Sequence, residues 1–267
     1  MNRAGREKAA QYWAQSQVIQ VWQGHLLARP GALELKSSSD YSEADIKIYL
    51  GEIAGKHFFA VHKEIAEGAG QTLREIAGLL DEVQLEIAVT SLALINWHES
   101  HPRCPRCGNE TEVTANGWVR KCIVDGSQHF PRTDPAIIVA VQDRAGRICL
   151  GRQAIWPEGR YSNFAGFVEP GESLEDAVIR EVEEESGLQV RDIRYLYSQP
   201  WPFPNSIMLA YEAFTDNPEL AKPDGEEIVD LKWFTKDALR SSIADGSLNL
   251  PPVTSVSRKM IERWLNG

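Results

Sequence analysis

The sequence predicts an α/β fold for its C-terminal part, preceded by an α+β block and a short cysteine-bearing module. Three observations carry this reading. From Pro135 onward, short apolar runs alternate with stretches of helical periodicity, the pattern of strands and helices packed in layers. Just before that, three of the chain's four cysteines crowd into Cys104–Cys122. Ahead of them, strand-like runs mix with helical ones. The boundaries read as 1–100, 101–132 and 133–267.

In the first block, Val18–Trp22, Ile46–Leu50 and His57–His62 have the β-branched and aromatic content of strands. Thr72 followed by Glu75 has capping-box spacing and starts a helix. Leu85, Ala88, Leu92 and Ile95 recur at helical intervals and define a second one. No catalytic signature occurs here, so the block reads as a packing or dimerisation domain. In the C-terminal block, Ala136–Val141 and Arg147–Leu150 read as buried strands joined by the turn at 143–146. A strand then leads to Gly166, and a helix runs from about Leu174 to Ser186. Strands follow at Arg194–Ser198, Met208–Thr215 and 230–234, then two helical segments. There are no internal repeats and no low-complexity stretches.

With 43% hydrophobic and 25% charged residues the 267-residue chain has the composition of a soluble globular protein. Its net charge of −10 argues against a broad basic surface for nucleic acid, while leaving room for a local basic groove. An acidic chain that binds a phosphate-rich ligand needs metal cations or local Arg and Lys at the site. Arg3, Arg6 and Lys8 near the N-terminus are not followed by an apolar run of signal-peptide length. No stretch reaches the length needed to span a membrane. The expected location is the cytoplasm, where clustered cysteines bind metal rather than form disulfides.

The most informative segment runs from Gly166 to Leu188. Ser173 is an N-cap, Glu175 and Asp176 sit in the favourable first turn, and Gly187 supplies the stop. Successive helical residues rotate by ~100°, so Glu181, Glu184 and Glu185 share a face and Glu183 points away. Converging carboxylates repel one another unless cations bind or water screens them. Hard oxygen donors of this kind suit Mg²⁺ or Mn²⁺, which also take phosphate oxygens into their shell. An acidic helix alone is usually just a solvated face. Here glycines stand at both ends, Glu172 lies in the preceding loop, and Arg180 flanks Glu181.

This pattern resembles the Nudix box, Gly-x5-Glu-x7-Arg-Glu-U-x-Glu-Glu-x-Gly-U with U apolar, at every specified position from Gly166 to Leu188. The resemblance implies a loop–helix–loop metal site on an α/β/α sandwich with a mixed sheet. It further implies metal held by Glu181, Glu184, Glu185, the backbone carbonyl of Ala165 and a distal glutamate. Glu227, six residues before Trp233, fits that last role best, with Glu226 as the alternative. The implied reaction is hydrolysis of a P–O–P bridge by water, with Glu184 or Glu185 as general base and Arg180 orienting a glutamate or a loop carbonyl.

Beyond the box, Ser198-Gln199-Pro200-Trp201-Pro202-Phe203-Pro204-Asn205-Ser206 contains three prolines in five residues. Those prolines forbid a regular helix and remove backbone donors, so the segment reads as stiff and extended. Trp201 and Phe203 then form an aromatic wall, with Gln199, Asn205 and Ser206 as polar contacts. The segment is similar to the SQPWPFPxS motif of the NADH pyrophosphatase subfamily, which often has Gln at the position of Asn205. That resemblance covers about residues 88–265 and implies NADH or NAD⁺ as substrate, with NMN(H) and AMP as products. It places Gln199, Pro200, Trp201, Pro202, Phe203, Pro204, Asn205 and Ser206 in the substrate site, and adds Phe130 and Ser257. It also implies a homodimer and raises NAD-capped RNA as a substrate.

Cys104-Pro-Arg-Cys107-Gly has the form of a zinc knuckle, and Cys122 follows after fourteen residues. The subfamily places a fourth Cys where this chain has Asp125, so Asp125 or His129, more remotely His101, would complete a zinc site. Cys149 lies in an apolar run and reads as a buried small residue. Two other functions compete with the main reading. One is a Nudix hydrolase for another nucleoside diphosphate derivative such as ADP-ribose. The other is a non-catalytic nucleotide-binding or zinc-ribbon regulator, which would have no use for Glu181, Glu184 and Glu185 together.

Overall fold

Alternation along one strand sets the layering of the C-terminal half. In the computed structural model, which describes residues 1–42 and 46–267, the strand Asp134–Asp143 sends Ile137, Val139 and Val141 to one face. Ile138 and Ala140 go to the other. Each face buries its residues under helices, as a period of two requires for a sheet covered on both sides. Ala177, Val178 and Val182 of the helix Leu174–Ser186 close the first face. Leu239 of the helix Lys236–Ala244 and Met260, Ile261 and Trp264 of the helix Val256–Asn266 close the second. The outcome is the three-layer α/β/α sandwich that the box implies.

The sheet is mixed. Asp134–Asp143 pairs in parallel with Ser206–Thr215, and antiparallel with Phe164–Phe167 and Ile148–Gln153. Ile148–Gln153 pairs in turn with Ile228–Phe234. Arg191–Trp201 lies at the other edge, against Ser206–Thr215. Pro200 is tolerated in that strand because an edge strand does not need every N–H. The helix begins and ends where the sequence puts it: Ser173 Oγ accepts the Asp176 N–H at 3.1 Å, and Gly187 closes it at a φ of 66°. Cys149 is fully buried on the face of this helix, and burial pushes its thiol up to about 12.

The chain divides into two compact units, Asp134–Trp201 with Ser206–Gly267, and Met1–Thr133 with Pro202–Asn205. In the latter, the strands Gln17–Trp22, Ile46–Ile53 and Lys56–His62 lie side by side. Their Ile19, Val21, Ile48, Leu50, Phe58 and Ala60 pack against Ile87, Ala88, Leu92 and Ile95 of the helix Glu82–Ser100. The opposite face holds Val18, Tyr49, Phe59 and Val61. Thr72 and Glu75 form the expected capping box. The cysteine module adds a separate three-stranded sheet of Thr111–Thr114, Val119–Cys122 and Gln128–His129. Among the described residues no helix is long and apolar enough to cross a membrane.

Candidate active site

The helix Leu174–Ser186 sorts its glutamates by burial. Glu185 is only 4% exposed, whereas the side chain of Glu184 remains 60% exposed. Arg180 organises the remainder. Its Nε and Nη2 donate to the two carboxylate oxygens of Glu172 at 2.7 and 2.9 Å. Nη1 donates to Glu181 at 2.8 Å and to Glu184 at 3.0 Å, and Nη2 also donates to the Phe167 carbonyl at 2.9 Å. A planar fork satisfied on all sides holds geometry well. Glu172 is therefore the arginine's anchor, and the hydrogen bonds from Arg180 hold its carboxyl down at about 2.

Gly166 earns its place in the box sterically. A Cβ there would fall 1.9 Å from the Glu181 carboxyl carbon, so only glycine lets that carboxylate lie against the strand. Glu181 sits above its ordinary value, first through burial and then, against the opposing pull of Arg180, through the charges of Glu184 and Glu227. Glu185 is pushed up to about 8 by burial, by Glu227 and by Glu181, against the backbone N–H of Ala165. Its Oε2 is buried and makes no hydrogen bond. The structure thus brings Glu181, Glu185 and Glu227 into mutual electrostatic range. An acid with an orphaned, buried oxygen facing two other carboxylates is the environment a hard cation relieves.

A NUDIX domain profile matches residues 132–263. The NAD-capped RNA hydrolase NudC of Mycobacterium bovis is 36% identical over 98% of this chain and 90% of its own length. The chain belongs to the Nudix hydrolase family, in its NADH pyrophosphatase subfamily. The human NAD-capped RNA hydrolase NUDT12 is 35% identical over 70% of this chain and 43% of its own. A solved NUDIX hydrolase from Nitrosomonas europaea is similar at a TM-score of 0.49 and 20% identity, covering 61% of this chain and 90% of that one. Nudix hydrolases generally use divalent metal ions, in keeping with the carboxylate cluster.

The proline-rich segment of this Nudix chain is only partly extended. Gln199, Pro200 and Trp201 end an edge strand, Pro202–Asn205 form a turn, and Ser206 opens the next strand. Phe203 packs on the hydrophobic core of the first unit, and Arg74 stacks its guanidinium 4.1 Å from the ring centroid. Arg74 has no distinguishing sequence context that would mark it. Gln199 donates from Nε2 to the Thr254 carbonyl at 2.8 Å, which leaves its Oε1 buried without a partner. Ser257 is buried too. Its hydroxyl bonds Ser162 Oγ at 2.8 Å and Asn163 Nδ2 at 3.0 Å, inside a network. Phe130, in the first unit, is 61% exposed.

Cys104, Cys107, Cys122 and Asp125 form a second cluster, with all four ligand atoms within 4.8 Å of one another. Two turns of the same shape build it. Gly108 N–H donates to the Cys104 carbonyl at 2.9 Å, and Gly126 N–H to the Cys122 carbonyl at 3.1 Å. Both glycines are left-handed, with φ of 74° and 70°, as such a turn requires. Asp125 therefore stands in the second knuckle where Cys107 stands in the first. His129 instead bonds Ser127 Oγ at 3.1 Å, and His101 bonds Ser100 Oγ at 2.9 Å. The Val124 and Asp125 N–H groups both point at Cys122 Sγ at 3.4 Å, but against their pull, burial and the hydrogen bonds with Asp125 and Cys107 leave its thiol above the ordinary value.

Proposed function

We propose that this chain hydrolyses the pyrophosphate of NADH and NAD⁺ to NMN(H) and AMP, and cleaves the same bond in NAD-capped RNA, releasing NMN and leaving a 5′-monophosphate on the RNA. The convergence of Glu181, Glu185 and Glu227 beside the Arg180 clamp carries the reaction class. The full-length likeness to NudC carries the substrate class. One water is consumed: its oxygen joins one phosphorus, and the bridging oxygen leaves with the other phosphate.

Glu181, Glu184, Glu185, Glu227 and the Ala165 carbonyl would hold Mg²⁺ or Mn²⁺. When bound, these cations supply Lewis acidity and neutralise phosphate charge. One of Glu184 and Glu185 would accept the proton from the attacking water: the buried, unpartnered oxygen of Glu185 suits a cation, and the more exposed Glu184 is tied to Arg180 at the surface. Arg180 keeps Glu181 and the Phe167 carbonyl in place and stays clear of the reacting atoms. Gln199 to Ser206, Phe130 and Ser257 are the proposed substrate segment, and Arg74 fixes the ring of Phe203 within it.

Three thiols and Asp125 would hold one Zn²⁺, a structural site in which a carboxylate replaces the usual fourth sulfur. Homodimer formation in the cytoplasm completes the proposal. Product analysis with NADH, NAD⁺, ADP-ribose and NAD-capped RNA in Mn²⁺ or Mg²⁺ tests it. NMN(H) and AMP from the dinucleotides are expected. Preference for ADP-ribose, or tight binding without cleavage, would overturn the substrate or the catalytic reading respectively.

A further inference from the structure

Glu227 lies in the exposed segment ahead of the strand Ile228–Phe234, far in sequence from the helix that bears the other glutamates. A glutamate in such a place has free side-chain torsions, and a cation site needs its carboxylate held. Two residues outside the Nudix box do this.

Asp224 fixes the backbone. Its Oδ1 accepts the N–H groups of Ile228 at 2.8 Å and Glu226 at 3.2 Å, and its Oδ2 accepts that of Glu227 at 3.2 Å. Burial works against the charge of Asp224, yet these amides hold its carboxyl below its ordinary value. Gln153 fixes the side chain. It ends the strand Ile148–Gln153 at a break in register: Arg152 faces Asp230, while Gln153 faces Ile228. The extra residue on the partner strand is a bulge, a device that re-aims side chains at the end of a ladder. From there Gln153 Nε2 donates to Glu227 Oε1 at 2.7 Å. An amide donor occupies one carboxylate oxygen without neutralising the charge, so the other oxygen and the full negative charge remain for a cation.

We propose that Gln153 is the positioning residue for Glu227, with Asp224 setting the backbone from which Glu227 reaches. This rests on the reading of Glu227 as a metal glutamate. Gln153 neither touches substrate nor binds the ion in this assignment; it acts through Glu227.

The test is Mn²⁺ binding to the full chain, followed by electron paramagnetic resonance after metal removal, alongside NADH kinetics and thermal melts in EDTA. Gln153→Met keeps the reach and bulk of the side chain and removes the donor. We expect its Mn²⁺ affinity to fall by about tenfold. The Mn²⁺ concentration for half-maximal turnover should rise in step, while KM for NADH at saturating Mn²⁺ and the melting temperature in EDTA stay near those of the parent. Asp224→Asn, which keeps one acceptor, should lose affinity by a smaller factor. Glu227→Gln runs in the same titration as a separate check. If it weakens Mn²⁺ binding while Gln153→Met does not, the positioning role is wrong and the metal reading stands. If neither variant shifts the titration, Glu227 is no metal ligand and both fall. A Gln153→Met protein that only melts earlier, with unaltered Mn²⁺ affinity, also overturns the proposal.

Discussion

The cysteine cluster and the carboxylate cluster both gather groups that repel when ionised, yet they are held by opposite means. Around Cys104, Cys107, Cys122 and Asp125 the backbone does the work: two glycine-closed turns bring all four ligand atoms within 4.8 Å. Around Glu181, Glu185 and Glu227 the side chains do it. One arginine and one glutamine restrain the carboxylates, and burial rather than contact raises Glu185. The first arrangement suits a closed structural ion and the second an open site that must admit substrate. Structural metal contributes to folding directly, whereas catalytic metal contributes to turnover. Breaking either cluster should therefore be read out on a different scale.

The largest effect is expected at Glu185. Glu185→Gln removes a charged carboxylate from the proposed metal site while keeping the shape, so kcat for NADH should fall by about 10³-fold or more. Stability without metal should not fall, because a buried, unpartnered carboxylic acid is lost. Turnover within tenfold of the parent would remove Glu185 from the mechanism. Next comes Gly166→Ala, which acts only through sterics. The new Cβ meets the Glu181 carboxyl at about 2 Å and must displace it. A fall of about 10²-fold in kcat with little change in melting is expected, in line with the sensitivity of catalysis to misplacement of about 1 Å. Unchanged activity would show that Glu181 can sit elsewhere.

In the cysteine cluster the same logic predicts stability effects first. Metal analysis of protein purified without chelator should find one zinc per chain, and Asp125→Ala should lose most of it and melt earlier. Asp125→Cys restores a fourth thiolate on a turn already shaped for one, so zinc release to a chelator should slow by about tenfold. Retention of zinc by Asp125→Ala together with its loss in His129→Ala would transfer the fourth ligand to His129. Turnover at saturating Mn²⁺ should change far less in these variants than in Glu185→Gln.

How much of this was legible depended on whether the information is local. The carboxylate helix was readable to its caps, because Ser173, Gly187 and the spacing of Glu181, Glu184 and Glu185 act within a few turns. Buried strands were legible in apolar runs such as Ala136–Val141, whose two faces are both covered, whereas the mixed pairing of the sheet came only with the resemblance to the Nudix box. Glu227 was placed by its distance from Trp233, but Gln153, which holds it, sits 74 residues away and carries no motif. Asp125 stood first for the fourth zinc ligand with His129 as the other candidate, and only the second turn, folding back on Cys122, sets the Asp125 carboxylate among the three sulfurs. The aromatic wall at Trp201 and Phe203 shows the opposite failure. Its prolines read as one stiff, extended segment, but the chain turns at Pro202–Asn205, and composition alone gave no hint that Arg74 would cover Phe203.

The two units also answer pH with opposite sign. In the first unit, His98 is 3% exposed, donates from Nε2 to the Gly117 carbonyl at 2.8 Å, and accepts Arg120 on Nδ1 at 3.0 Å. Burial first, and then Arg120, lower it from 6.5 to about 4. The unfolded chain binds this proton more readily than the folded one between those values. Stability from His98 is thus complete above about pH 6.5 and drains away as pH falls toward 4. Glu185 behaves in reverse. Its folded value of about 8 lies above its ordinary 4.5, so without metal its contribution is complete below 4.5 and is lost as pH rises through 8. Each group carries on the order of 3 to 5 kcal/mol at full extent. Urea midpoints measured in EDTA from pH 4.5 to 8.5 should show both slopes. His98→Gln should flatten the acid side only, and Glu185→Gln the alkaline side only. Added Mn²⁺ should cancel the alkaline loss, because binding displaces the proton that the buried carboxyl otherwise keeps. An alkaline loss that survives saturating Mn²⁺ would place the cation away from Glu185.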